Sequence, residues 1–194
     1  MQKMIMLDLD DTLCDLSSLL KESITKRTGK NIPVHEWHDY NLGSIFGMDG
    51  DVVIQSIIED NLFEKVKPFS DVKDGIDELL MKGFRVSIVT AREGIDKKGE
   101  QTFNWLRKNR INFSHLFLTS HQIGKHEIAE RLQPKYSLDD NLDYVFSCYD
   151  HVGTSVIKTM PWNKLTNSKS IARVDNFRDF VNLIKVKEDI PIFS

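Results

Sequence analysis

Hydrophobic runs long enough to cross a bilayer are missing from this 194-residue sequence. No apolar stretch nears the roughly 20 residues that a spanning helix needs, so no membrane anchoring is expected. Cysteine is scarce. Cys14 and Cys148 are the only two, too few for a disulfide scaffold, and reduced thiols in the cytoplasm are the expectation. Neither sign of charge dominates. The 26 Lys and Arg face 29 Asp and Glu, for a formal net charge of −3 and a pI near 6.1, which speaks against a broad basic surface for nucleic acid. There is no Gly-x-Gly-x-x-Gly and no Walker loop, so dinucleotide cofactors and nucleoside triphosphate chemistry are not expected. Repeats, low-complexity tracts and Gly/Ser linkers are also absent. The opening MQKMIMLDLDD is broken by acids at once and does not read as a signal peptide. What is present is a 40% hydrophobic share, ordinary for the core of one large domain, or of one domain with an insert.

The apolar segments alternate between two periodicities. Met4-Ile5-Met6-Leu7 is continuous rather than alternating, as in a strand buried on both faces, and it ends in acids at Asp8, Asp10 and Asp11. Phe84 to Val89, Leu116 to Leu118, Tyr136 to Leu138 and Val152 to Thr159 are further strand candidates. Between them, Val72, Ile76, Leu79 and Leu80 follow helical spacing with Gly83 as a stop. Phe103 and Leu106 mark a helix from about Lys97 to Lys108, with Trp105 expected on its flank. Ile123 to Leu132 reads as a short helix closed by Pro134, and Phe177, Phe180, Val181 and Ile184 as a terminal amphipathic helix. Strands alternating with helices imply parallel βαβ units and an α/β sandwich with sites at the carboxyl ends of its strands. One interval breaks the rhythm. From about Asp15 to Pro68 only helical patterns are visible, Leu16/Leu19/Leu20/Ile24 and Val52/Val53/Ile57/Ile58. The expected organisation is therefore a core of residues 1–14 and 69–194 with a small helical cap, residues 15–68, inserted after the first strand.

Three strand ends hold polar or acidic residues: Asp8/Asp10, Thr90 and Asp139/Asp140. A helix start adds Gly124-Lys125. In a parallel sheet such ends converge on one crevice. Carboxylates packed there repel one another unless a cation sits among them, and hard oxygen ligands suit Mg²⁺ with a substrate phosphate.

Asp8-Leu9-Asp10-Asp11-Thr12-Leu13, Val89-Thr90-Ala91-Arg92, Lys125 and Leu138-Asp139-Asp140 resemble, in order and placement, the four motifs of the haloacid dehalogenase (HAD) superfamily of phosphohydrolases. The resemblance implies a three-layer, Rossmann-type α/β sandwich with a mainly parallel sheet. It also implies a two-step phosphoryl transfer in which Asp8 attacks phosphorus and Asp10 acts as general acid, then general base. Mg²⁺ would be held by Asp8, the Asp10 backbone carbonyl and Asp139, with Asp140 a direct or water-mediated partner. Thr90, Ala91, Arg92 and Lys125 would bind the phosphate. The acid at Asp10 favours phosphatase over dehalogenase chemistry, while Asp11 stands where phosphatase members usually carry glycine. Met160-Pro161-Trp162-Asn163 and the insert are similar to features of the 5′(3′)-deoxyribonucleotidase family. That likeness implies a nucleoside monophosphate as the small phosphorylated substrate, with Trp37, Tyr40, Phe46 and Phe63 available to stack a base.

Plainer readings compete for several of these residues. Asp8, Asp10 and Asp11 also suit a turn, Asp143 suits a helix N-terminus, Lys125 a solvated surface, and Arg92 an exposed loop. His35 and His38 would share a face only if helical, and they lack a third metal ligand; His121 and His126 do not share one. Cys14 lacks the nearby arginine of a cysteine phosphatase, and Cys148 reads as a small apolar core residue. Two other functions are weighed: a polynucleotide 3′-phosphatase, disfavoured by the acidic balance, and a non-catalytic phosphate-binding protein, disfavoured by the intact Asp8/Asp10 pair. The oligomeric state is left open, a homodimer included.

Overall fold

A continuous apolar tetrad leaves no face for water, and β1 (Met4–Leu7) is accordingly buried along its whole length. It lies inside a six-stranded sheet with β2 (Arg85–Thr90), β3 (His115–Leu118), β4 (Tyr136–Asp139), β5 (Thr154–Lys158) and β6 (Ala172–Val174). Every pairing is parallel and the order is β3-β2-β1-β4-β5-β6. The computed structural model describes residues 3–96, 98–120, 122–165 and 170–190.

Side-chain alternation along β1 divides the core into two layers. Ile5 and Leu7 join the large cluster that holds α5 (Val72–Met81) and α9 (Phe177–Lys187), whereas Met6 joins Val89, Ile128, Ala129 and Cys148 on the other face. That second face is covered by α7 (Lys125–Leu132) and α8 (Leu142–Cys148). The result is the expected three-layer α/β sandwich. Close approach of α5 to α9 depends on Gly75, where an added Cβ would come within 2.8 Å of the Phe177 ring.

Between β1 and β2 the chain forms α1 (Leu16–Thr28), α2 (Leu42–Phe46), α3 (Gly50–Glu59) and α4 (Leu62–Lys65). The Asp15 side chain accepts from the Ser18 N–H to cap α1, and Gly29, at φ 72°, ends it. The passages into and out of this helical segment lie side by side. Cys14 pairs with Pro68 in an isolated antiparallel bridge, the Asp15 N–H donates to the Lys67 carbonyl, and the Phe69 N–H donates to the Leu13 carbonyl.

Several local expectations need correction. β6 carries no apolar run and was not anticipated; it is an edge strand of three residues. The helix expected from Lys97, a residue outside the described ones, begins at Glu100 as α6 (Glu100–Lys108), and Phe103 on it is exposed. Trp105 is not on a flank but buried, with its indole N–H donating to the Val66 carbonyl at 2.7 Å. The helix expected from Ile123 starts at Lys125. Val34–Glu36 is a single 3₁₀ turn with His38 beyond it, so His35 and His38 share no α-helical face; His121 lies outside the described residues. Among the described residues no helix is long and apolar enough to cross a membrane.

One ionic knot ties the amino end of the sheet to the end of α9. The Glu188 carboxylate accepts from Lys3 at 2.8 Å, Lys135 at 2.5 Å and the Tyr136 hydroxyl at 2.7 Å. Burial raises the Glu188 carboxyl, but the bonds from Lys135, Lys3 and Tyr136 outweigh it and hold the group down at about 2. A depressed carboxyl stabilises the fold above its unfolded value and loses that contribution as pH falls through its folded value. Because Lys3 and Lys135 are 42% and 48% exposed, solvent screening reduces the effect. Glu188→Gln should therefore cost about 1–2 kcal/mol at pH 7. The difference from wild type should shrink between pH 4.5 and 2, as measured by urea unfolding across that range; a gap independent of pH would contradict the assignment.

Candidate active site

The parallel register delivers one residue after another to the same edge. Leu7 pairs with Ile88 on one side and Leu138 on the other, so Asp8, Thr90 and Asp139 emerge together at the carboxyl ends of β1, β2 and β4. The Asp8 N–H donates to the Leu138 carbonyl and extends that alignment by one residue. The chain steps outward from β1 in both directions at this point, the topological switch point at which open α/β sheets form ligand crevices.

Carboxylate oxygens of Asp8, Asp139 and Asp140, all buried, lie within 4.8 Å of one another. Lys125, at the start of α7 and only 2% exposed, places its Nζ 2.6 Å from both Asp8 Oδ1 and Asp139 Oδ2. A solvated surface lysine is thus ruled out. Burial works against the charge on Lys125, yet Asp139 and Asp8 prevail and raise its pKa above the ordinary lysine value. Burial likewise pushes the Asp8 carboxyl up to about 7; Lys125 opposes this, while Asp139 and Asp10 add to it. Asp140 is raised well above the carboxylate range by burial and then by Asp8 and Asp139. One ammonium does not balance three packed carboxylates, and the donors are hard oxygens throughout. That donor set fits a divalent cation of the Mg²⁺ kind.

The loop after β1 is shaped by Asp11, whose φ of 56° lies in the left-handed region. Glycine enters that region without strain and aspartate is among the few side chains that tolerate it, which accounts for an acid where related phosphatases carry glycine. The Asp11 carboxylate accepts from the Ser17 N–H at 2.8 Å and its hydroxyl at 2.6 Å, while Lys158 Nζ donates to the Asp11 carbonyl at 2.6 Å. Asp11 therefore builds the loop from within.

Asp10 points to a different partner. Arg92 grips it with two bonds, Nε to Oδ2 at 2.8 Å and Nη2 to Oδ1 at 2.5 Å. Arg92 is 2% exposed, with its guanidinium 3.9 Å from the centre of the Phe63 ring of α4, so the exposed-loop reading fails. Arg92 Nη1 and Thr90 Oγ1 are buried polar atoms with no partner among the described residues. Both residues line a cavity of about 300 Å³, and unsatisfied buried donors beside a cavity are the kind that a ligand satisfies.

Every site residue read from the sequence, namely Asp8, Asp10, Thr90, Ala91, Arg92, Lys125, Asp139 and Asp140, borders this cavity. Of the aromatic candidates, Trp37, Tyr40 and Phe63 also border it; Phe46 does not, being packed edge-on against Trp37 at 5.7 Å. Asp143 follows the N-cap Asn141 in the first turn of α8, as its helix-start reading required. Sequence reasoning missed Thr12, Tyr144 and Trp162. Thr12 donates to Asp140 Oδ1 at 3.2 Å, the Tyr144 ring lies 4.3 Å from Lys125 Nζ, and Trp162 walls the cavity. The Pro-Trp-Asn segment was the one available signal, visible as a family mark but without a role.

Comparison with known proteins adds to this geometry. No curated protein sequence matches the chain. A HAD-like family hydrolase from Streptococcus pneumoniae superposes with a TM-score of 0.67 at 15% identity, covering 94% of this chain and 98% of the other. A predicted phosphatase from Clostridium acetobutylicum gives 0.67 at 14% identity, covering 95% and 98%. The HAD hydrolase YfnB of Bacillus subtilis, in a magnesium-bound form, gives 0.63 at 12%, covering 95% and 99%. At such identities the likeness speaks for the fold. The sequence model of one family, described as 5′ nucleotidase, deoxy (pyrimidine), cytosolic type C protein, matches residues 2–189. The solved structures share this chain's fold, that of HAD-like hydrolases, and the chain belongs to the family whose model it matches.

Proposed function

We propose that the protein is a Mg²⁺-dependent phosphatase that hydrolyses a small phosphomonoester, a (deoxy)nucleoside monophosphate, through an aspartyl-phosphate intermediate. The observation that carries this reading is the arrangement at the cavity floor, where Asp8, paired to buried Lys125, lies at the strand edge it shares with the unpartnered hydroxyl of Thr90. A cavity of about 300 Å³ stands at the small end of ligand pockets. With aromatic walls from Trp37, Tyr40 and Trp162, it suits a single nucleotide rather than a strand. The free, buried thiols of Cys14 and Cys148 support a reducing, cytoplasmic setting.

In the first step an Asp8 oxygen forms a bond to phosphorus while the bond to the ester oxygen breaks, and Asp10 delivers a proton to that leaving oxygen. In the second, Asp10 takes a proton from water, which attacks phosphorus and releases Asp8 and inorganic phosphate. In this structure Arg92 engages both Asp10 oxygens, so carrying and delivering the proton requires one of these oxygens to leave Arg92 and face the substrate. Thr90 and Lys125 donate to phosphoryl oxygens. Asp8, Asp139 and the Asp10 carbonyl, with Asp140 direct or through water, would hold Mg²⁺, which when bound would neutralise the negative charge that accumulates there. The helical segment 15–68 acts as a cap that excludes water and selects the leaving group.

Asp8→Asn should lower phosphate release at least about 10³-fold on every substrate while the circular-dichroism spectrum stays native; retained turnover would refute the nucleophile. A Mg²⁺-dependent release screen should favour nucleoside 5′- or 3′-monophosphates, and preference for sugar phosphates would overturn the nucleotide assignment. Asp10→Asn should cost about 10²–10⁴-fold on nucleotides and distinctly less on an activated aryl phosphate. Equal losses on both would remove Asp10 from the acid role.

A further inference from the structure

The loop that follows β5 reaches back to the acid cluster. Pro161–Asn163 forms a 3₁₀ turn, and the Asn163 side chain, 1% exposed, uses its full hydrogen-bonding capacity. Its Nδ2 donates to the Asp140 carbonyl at 2.7 Å and the Lys158 carbonyl at 2.8 Å, and its Oδ1 accepts from the Met160 N–H at 3.1 Å and Arg173 at 2.7 Å. The backbone of Asp140 is thereby tied to the end of β5. The preceding residue addresses the carboxylate itself. Trp162 Nε1 lies 3.1 Å from Asp140 Oδ2 and 3.3 Å from its carbonyl, while Thr12 donates to the other carboxylate oxygen, Oδ1, from the β1 loop.

We propose that Trp162 is a positioning residue for the divalent-cation site: its indole N–H, opposed by the Thr12 hydroxyl, fixes the rotation of the Asp140 carboxylate toward Asp8 and Asp139, and Asn163 fixes the backbone beneath it. A buried carboxylate held by a donor on each oxygen cannot turn freely, and donors of this outer kind tune metal affinity because they set the direction of the ligand's lone pairs. The same indole ring stands 6.3 Å from Trp37 and 6.2 Å from Tyr40, both in the helical segment. Ring packing alone would also keep a tryptophan here, so the donor must be separated from the ring. The inference rests on the reading that Asp8, Asp139 and Asp140 hold the cation.

The test is calorimetric titration of Mg²⁺ into the full chain without substrate. Trp162→Phe keeps an aromatic ring, a smaller one, and removes the donor; replacing Trp162 by the benzothienyl analogue, in which sulfur stands for the N–H, keeps the bicycle and removes the donor alone, and Thr12→Val removes the opposing one. Each should weaken Mg²⁺ binding about 10–100-fold with the metal-free melting temperature near wild type. Wild-type affinity in Trp162→Phe overturns the inference, as does a loss that simply follows a lowered metal-free melting temperature. Asp139→Asn separates the two levels. If it binds Mg²⁺ as wild type does, the cation reading itself fails; if it loses binding while Trp162→Phe keeps it, only the role of Trp162 falls. A measurement on the unmodified protein guards against a variant that does not fold. On Mg²⁺ addition the Trp162 indole N–H resonance should shift, while that of Trp105, bonded to Val66, stays in place; a stationary Trp162 signal contradicts the proposal.

Discussion

Repulsion among buried carboxylates is the constraint around which this molecule is arranged. Asp8, Asp139 and Asp140 meet at one end of the sheet with one oxygen of each inside 4.8 Å, where burial and the neighbouring acids disfavour charge on Asp8 and Asp140. The surrounding cations are placed accordingly. Lys125 stands between Asp8 and Asp139, Arg92 takes both oxygens of Asp10, and Lys158 reaches the carbonyl of Asp11. Each arrives from a different element, so the site holds the ends of several strands together while the strands hold the site. Even so, one ammonium serves three carboxylates at its centre, a set of hard oxygen donors that suits a divalent cation.

The scaffold supplies accuracy rather than chemistry. Parallel register brings Asp8, Thr90 and Asp139 to one edge because each ends or directly follows a strand with its own buried residues, and a slip of one residue in any of them would turn its whole side-chain set to the wrong face. The left-handed turn at Asp11 then lets the chain fold back at once, so that Asp10 and Thr12 face different partners although only one residue lies between them.

How far the sequence could be read follows from where each residue finds its partners. Met4 to Leu7 is legible as a buried strand because its environment is uniform, and Asp8, Thr90 and Asp139 are legible because strand ends have a known fate in a parallel sheet. Ala172–Val174 escaped because an edge strand of three residues has no periodicity to detect. Arg92 stayed ambiguous since its partner, Asp10, lies 82 positions away, and no local pattern encodes that distance. Trp105 was misplaced for the same reason, its N–H being met by a carbonyl at Val66 in the helical segment. His35 and His38 suggested a shared helical face that a single 3₁₀ turn does not provide.

The paired passage at Cys14 and Pro68 has a consequence for how such a molecule can diversify. A segment whose two ends are stitched together leaves the strands at one point and returns to it, so its length is decoupled from the spacing of the sheet. Trp37, Tyr40 and Phe63 ride on that stretch, while the acids and Lys125 belong to the strand ends, their loops and α7. Contacts of that segment with the rest, Phe63 on Arg92, Val66 on Trp105 and Trp37 on Trp162, then set how far its inner face can vary, while its outer turns are free to lengthen.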